Sequence, residues 1–279
     1  MSVSVFLTVN FLSSVVAGII GALLGLGGGI IVVPVLTLFL GVNIHYAIGA
    51  SIVSVIATSS GAAAAYVRDR ITNVRIGMLL EMATTTGAIS GAFLAGFISP
   101  KWLYVIFAVM LGYSALAMFQ KRHQELPVGV VTDRFTEKFR LDGSYYDVAL
   151  KKQVDYRTTG VAYAFPMMYV AGVLSGLLGI GSGLFKVLGM DIIMRLPMKV
   201  STATSNFMIG VTAAASAGLY FMRGDIHPFI AAPVALGILL GAHLGTRVMS
   251  RIKSVTLRMI FLPVLLISAL QMLFKGMGW

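Results

Sequence analysis

Apolar runs close to 20 residues long recur from one end of this chain to the other. The hydrocarbon core of a bilayer is about 30 Å thick, and about 20 helical residues are needed to cross it. Backbone N–H and C=O groups in lipid must be satisfied within the segment, so runs of this length form helices rather than barrel strands. Composition agrees. The chain is 58% hydrophobic and only 11% charged, where soluble domains carry about 25% charged residues. The fold class read from this is all-α: a polytopic transmembrane helical bundle. Residues 1–24 lack a basic start and a clear small-residue cleavage site, and read as a retained first helix rather than a signal peptide.

The chain also repeats itself. Ala17, Gly18, Leu23, Leu24, Gly25, Gly27 and Gly29 recur 154 residues later as Ala171, Gly172, Leu177, Leu178, Gly179, Gly181 and Gly183. Ser51, Thr58 and Tyr66 recur as Ser205, Thr212 and Tyr220, and Phe107 as Phe261. After a small shift, Gly87 and Gly91 fall on Gly237 and Gly241. Internal repeats of this kind are built as structural repeats. The expected organisation is a first transmembrane repeat over 1–120, a polar insert over 121–159 and a second repeat over 160–279. Apolar segments run over 5–24, 29–41, 46–67, 76–98 and 102–119. In the second repeat they run over 161–178, 182–194, 200–222, 228–249 and 255–274.

The second segment of each half is short. Thirteen residues make a helix about 20 Å long, too short to cross directly. If it turns the chain back, 17 Lys and Arg fall on one side, and only Lys101, Arg223 and Lys275 on the other. If it does not, the short loops show no bias. The positive-inside rule selects the first arrangement. It gives two inverted repeats with interrupted helices, 8 to 10 membrane segments, an insert in the cytoplasm and termini outside. Residues near Lys101 and Arg251 then lie on opposite faces. Within the insert, Asp142-Gly143 between alternating runs predicts a β-hairpin turn. The insert reads as a linker or as a cytoplasmic regulatory flap.

Candidate functional residues cluster at the interruptions. Both breaks are glycine-rich, with Gly27, Gly28 and Gly29 in the first and Gly181, Ser182 and Gly183 in the second. Glycine is a poor helix former and admits close approach. Interrupted segments at matching places in two repeats point to a transporter binding site, and the helix N-termini that follow them suit an anion. Tight packing of glycines is the alternative. Lys186 lies just beyond the second break in apolar sequence, a place for a counter-charge to an anionic substrate. Snorkelling, or pairing with Asp191, is the plainer reading. Its repeat mate is Val32, so such a site is lopsided.

Ser51 and Thr58 share a helix face, as do Ser205 and Thr212, with Asn206 beside them. These groups serve as oxyanion donors or as hydrogen bonds between helices. Glu81 and His243 are the candidates for proton coupling. The plainer readings are a carboxylate paired with a basic group such as Arg75, and a histidine satisfied within the structure.

The motifs Gly-Leu-Gly-Gly-Gly-Ile-Ile-Val-Val-Pro-Val-Leu (25–36) and Gly-Ile-Gly-Ser-Gly-Leu-Phe-Lys-Val (179–187) stand at the breaks. With them go His-Tyr-Ala-Ile-Gly-Ala-Ser (45–51) and Lys-Val-Ser-Thr-Ala-Thr-Ser-Asn (199–206). The chain thereby resembles the TauE/SafE sulfite exporter family, also called the toluene sulfonate uptake permease family. It departs where Ser182 replaces a third glycine and where Leu188-Gly189 replaces an expected proline. The resemblance implies a secondary transporter of sulfur-containing anions, such as sulfite or organosulfonates, in a prokaryotic cytoplasmic membrane.

Other classes fit poorly. There is no cysteine, and none of the four histidines pairs at helical metal-ligand spacing, so neither a metal site, a cofactor nor an enzyme is expected. The basic residues are scattered over loops, which argues against nucleic acid. The expected partners are the lipid bilayer, a small anionic substrate and a coupling proton, and assembly as a homo-oligomer is compatible with the sequence. A passive anion channel, a transporter of a different small organic anion and a scaffold subunit remain alternatives.

Overall fold

A computed structural model describes residues 3–120, 130–249 and 254–277. Residues 121–129 of the insert and the loop holding Arg251 and Lys253 lie outside the described residues. The first half contains α1 (Val3–Leu24), α2 (Gly29–Pro34), α3 (Ile44–Arg68), α4 (Val74–Ala95) and α5 (Pro100–Gln120). The insert holds α6 (Arg134–Phe139) and two strands, β1 (Gly143–Asp147) and β2 (Lys152–Tyr156). The second half contains α7 (Val161–Leu178), α8 (Gly183–Leu188), α9 (Met198–Met222), α10 (Pro228–Met249) and α11 (Ser254–Met277). Both α2 and α8 continue as wide π-helical turns, Val35–Phe39 and Gly189–Ile193. Among the described residues, α1, α3, α4, α7 and α10 are long and apolar enough to cross a membrane.

The short segments do turn the chain back. The end of the turn after α2, with Leu38 and Phe39, lines one pocket with Val3 and Phe6 at the start of α1. The ends of α1 and α3 also meet, since Tyr66 Oη donates to the Ala22 carbonyl at 3.0 Å. Thus α1 and α3 run the same way, with α2 returning between them. The two halves are inverted relative to one another. Ser59 of α3 donates to the Asn206 carbonyl of α9 at 2.7 Å, and Asn73 N–H, just past α3, donates to Thr204 Oγ1 near the start of α9 at 3.0 Å. The central helices α3 and α9 are therefore antiparallel. One face of the bundle carries the start of α1 and the end of α11, and is called the terminal face here. The opposite, insert face carries the described part of the insert, residues 130–159.

Two glycine seams join the halves. On α4, Gly87 rests on the Tyr169 carbonyl of α7 and Gly91 on the Val173 carbonyl. On α10, Gly237 rests on the Phe11 carbonyl of α1 and Gly241 on the Val15 carbonyl. The constant spacing makes each pair parallel, and each pair takes one helix from each half. Lipid offers no hydrophobic drive for helices to associate, so such backbone approach through small residues supplies the packing.

The insert departs from expectation. The sequence places a hairpin turn at Asp142-Gly143, but the strands pair over Gly143↔Tyr156 to Asp147↔Lys152, and the turn lies at 148–151. Asp147 stabilises it, its Oδ1 accepting the N–H groups of Ala149 (2.9 Å) and Leu150 (3.1 Å). The run before Asp142 is the helix α6 rather than a strand, capped by Asp133, whose Oδ1 accepts Thr136 N–H at 2.7 Å. The hairpin packs its Tyr145, Val154 and Tyr156 into one apolar cluster with Ile71, Met194, Leu196 and Val200 of the bundle.

Replacing Gly91 by valine should force the α4–α7 seam apart and lower stability by about 1–3 kcal/mol. Gly112→Ala, with open space around it, should change little. Melting in detergent compares the two. Burial raises the Asp147 carboxyl, but hydrogen bonds from Lys199 and two backbone N–H groups outweigh this and hold it below the usual range. A depressed folded value means that its contribution to docking is complete above the ordinary aspartate pKa of about 3.9. It is lost as pH falls through the lower folded value. Limited proteolysis against pH should therefore leave the hairpin protected at about pH 5 and above and release it only under stronger acid.

Candidate functional site

Both breaks lie at the middle of the bundle, where they face each other. Gly25, Gly27 and Gly28 have φ of 70°, 72° and 42°, and Gly179 and Gly181 have 65° and 76°. These left-handed values end the helix and turn the chain, and glycine adopts them at no steric cost. Ser182 holds φ 50° with a side chain attached, a conformation costing L residues about 1–2 kcal/mol. Gly29 packs on Gly179 and Ile180, and Gly183 on Gly25 and Leu26. Gly27 and Gly181 both sit between Val55 and Ile209, so the crossing is centred on α3 and α9.

A helix end inside a membrane leaves carbonyls without partners, and these are costly in lipid. Here each half supplies the other. Ser51 Oγ donates to the Gly179 carbonyl at 2.6 Å, and Ser205 Oγ to the Gly25 carbonyl at 2.6 Å. The repeat mates Tyr66 and Tyr220 satisfy carbonyls one turn earlier, each within its own half. Tyr66 reaches Ala22, and Tyr220 Oη reaches the Gly176 carbonyl at 2.7 Å. Asn206 adds a bond from Nδ2 to the Ala22 carbonyl at 2.9 Å. Thr58 donates within its own helix, to Ser54 O at 2.9 Å. The hydroxyl protons of Ser51, Ser205 and Thr58 are thus engaged by backbone.

The charged residues tell a different story. Lys186 is 0% exposed. Its Nζ lies 3.2 Å from Glu81 Oε2 and donates to Thr212 Oγ1. Thr212 Oγ1 in turn donates to Glu81 Oε1 at 2.5 Å. Thr84 and Thr85 donate to the other edges of the same carboxylate at 2.8 and 2.9 Å. The partner of Lys186 is therefore Glu81 from the other half of the chain, and the side chain reaches inward rather than snorkelling. Arg75, expected as a possible partner of Glu81, instead donates to the Arg140 carbonyl at 2.9 Å.

Taking two charges out of water costs several kcal/mol each, and only good geometry with added hydrogen bonds offsets it. Glu81 has four donors, which is the required arrangement. The mates of Lys186 and Thr212 are Val32, buried at 3% exposure, and Thr58, so the ionic site exists once.

His243 is not part of this group. It is exposed on α10, which packs against α1 and α3, whereas Glu81 sits between α4, α8 and α9. Thr84 and Thr85 belong to the site and are missing from the residues that sequence reasoning selects, although their spacing of three and four from Glu81 is the available signal. Ser182 Oγ of the second break is buried with no hydrogen-bond partner, as are Thr202 Oγ1 and Asn206 Oδ1 of α9, the stretch that packs on Gly25 and bonds to Ala22 at the first break. Each such group costs about 1–3 kcal/mol. The unpartnered oxygens thus lie where the two breaks face each other, while the buried lysine belongs to the second half alone.

The profile described as "Sulfite exporter TauE/SafE" matches residues 10–272. The chain belongs to this family. It is 28% identical to the probable membrane transporter protein YunE of Bacillus subtilis, over 94% of this chain and 95% of that protein. A second relative from that organism, the probable membrane transporter protein YdhB, is also 28% identical, over 95% and 98%. The probable membrane transporter protein MJ0441 of Methanocaldococcus jannaschii is 24% identical, over 92% of each chain. No solved structure matches significantly. The protein is thus a multi-pass membrane transporter of the TauE/SafE family.

Removing one partner of a buried ion pair typically costs about 3–5 kcal/mol, because the other is left uncompensated. Lys186→Met and Glu81→Leu should each destabilise the protein by that order. The double variant should lose clearly less than the sum. Melting of the four proteins in detergent completes the cycle, and strict additivity would mean that the two groups do not interact.

Proposed function

We propose that the protein is a secondary transporter that moves a small, singly charged sulfur oxyanion across the cytoplasmic membrane together with a proton. Bisulfite and organosulfonates have the required chemistry. The observation that carries the reading is the fully buried Lys186, held by Glu81 and Thr212 beside the second break. An ammonium there is a counter-charge for an anion, and the orphan oxygens of Ser182, Thr202 and Asn206 are available to a protonated or otherwise polar ligand. Gly27, Gly28, Gly29, Gly181 and Gly183 give the backbone its shape. Ser51, Ser205 and Thr58 brace it. The family name and the transporter names of the relatives support the substrate class and the activity.

Charge balance supplies the coupling. Without substrate, Lys186 and Glu81 sum to zero. An anion that takes Lys186 leaves Glu81 as an uncompensated buried charge, which is strongly unfavourable. One proton on Glu81 restores neutrality. Thr212, which now joins the two side chains, then bridges the protonated carboxyl and the bound anion. A dianion would leave one negative charge over, so sulfate is disfavoured. The 17 basic residues that the sequence assigns to one side under the inverted arrangement support placing the insert face in the cytoplasm and the termini outside.

Uptake of bisulfite, an organosulfonate and sulfate into liposomes, with and without a pH gradient, tests the reading. Saturable, gradient-driven uptake of a monoanion is expected, with little sulfate moved. Lys186→Ala should abolish it and Val32→Ala should not. Glu81→Gln should keep anion exchange but lose the response to the gradient. Unsaturable flux indifferent to pH would indicate a passive channel instead.

A further inference from the structure

The two repeats predict two matching mouths, one on each face. On the terminal face, the end of the turn after α2 and the starts of α3 and α10 enclose an open pocket of roughly 880 Å³. Leu40, Tyr46 and His227 are among the residues that line it. Shifting by 154 residues takes Leu40 to Met194, Tyr46 to Val200 and, in the reverse direction, His227 to Asn73. These residues ring the corresponding place on the insert face.

That second place is filled. Thr159 N–H donates to the Met194 carbonyl at 3.3 Å. Asn73 Nδ2 donates to the Leu141 carbonyl at 2.8 Å and to Tyr156 Oη at 3.0 Å. Val200 is 0% exposed, in one apolar cluster with Tyr145, Val154 and Tyr156 of the hairpin, whereas its mate Tyr46 is 41% exposed. The clamp is electrostatic. Lys199, the mate of His45, is 6% exposed and lies 2.8 Å from Asp147 Oδ1 on the hairpin. Lys199 stands in the first turn of α9, the helix that carries Thr212.

We infer that the insert is a gate: the hairpin plugs the insert-face mouth and is latched to α9 by the Asp147–Lys199 ion pair. The inference rests on the transport reading only in what the gate controls. A pocket stands open on the terminal face while its counterpart on the insert face is filled, so the two mouths are in opposite states, as alternating access requires. Opening the second mouth means lifting the hairpin. Breaking the latch removes one partner of a buried ion pair and favours that motion.

The chain contains no cysteine, so a single introduced thiol reports cleanly. Val200→Cys, in purified protein in detergent, should react with a maleimide slowly. In the Asp147→Asn background it should react about tenfold faster or more. Asparagine is chosen for this position because an amide oxygen can still accept the Ala149 and Leu150 N–H bonds of the turn. Tyr46→Cys should react at the same fast rate in both backgrounds. If Asp147→Asn fails to fold, Lys199→Gln breaks the same pair from the bundle side and should give the same ratio. Equal labelling of Val200→Cys with and without the latch would overturn the gate, as would a parent rate already matching Tyr46→Cys. In liposomes, latch-broken protein should take up the transported anion several-fold faster, and faster labelling without faster uptake would also overturn it. If the parent moves none of the three anions tested, the transport reading falls, and the labelling ratio alone decides whether the hairpin closes the mouth.

Discussion

Two helices stop in the middle of this bundle, and every other feature is arranged around the carbonyls they leave behind. In lipid an unpaired carbonyl has no water to turn to. Ser51 and Ser205 resolve this by crossing over, each donating to the break of the other half. Tyr66 and Tyr220 secure the preceding turn. The exchange makes neither break stable without the opposite repeat. It also fixes α3 and α9 as an antiparallel pair at the centre, because only that arrangement sets Ser51 and Ser205 against each other's breaks.

On this symmetric frame the chemistry is asymmetric. Val32 occupies the position that Lys186 occupies in the second half, and the carboxylate that answers Lys186 comes from α4 of the first. A twofold scaffold with one ionic site at its centre avoids burying a second ion pair beside the first break, with its own desolvation cost. The insert breaks the symmetry a second time, at the mouths, where the first repeat leaves a pocket and the second is covered.

Much of this was legible in the sequence. The matched glycines, serines and tyrosines located the breaks, and the distribution of Lys and Arg chose the inverted arrangement. The lopsided lysine followed from reading Val32 against Lys186. What stayed hidden depended on how helices rotate against one another. Glu81 and Lys186 are 105 residues apart on different halves, and helices that are apolar nearly all round give no stripe to orient them. The serines read either as substrate donors or as hydrogen bonds between helices, because sequence cannot show a carbonyl of the opposite repeat 2.6 Å away. The hairpin was misplaced for a local reason. Asp142-Gly143 looks like a turn, while the stronger signal was Asp133, whose carboxylate caps the helix that ends just before it. His243 lay among glycines that mark a seam, but it projects from the opposite side of that helix.

The glycine seams also set a timetable for synthesis. Asn10 of α1 bonds to the Ile230 carbonyl of α10, 220 residues later in the chain. At ribosomal speeds of about 5–20 residues per second, α1 waits roughly 10–45 seconds in the bilayer before its partner is made. Until then only its end is held, by Tyr66 of α3. The α4–α7 seam closes much earlier, since Gly91 and Val173 lie far closer in sequence. The seam in the middle of the chain can thus close well before the one that joins its first helix to its tenth.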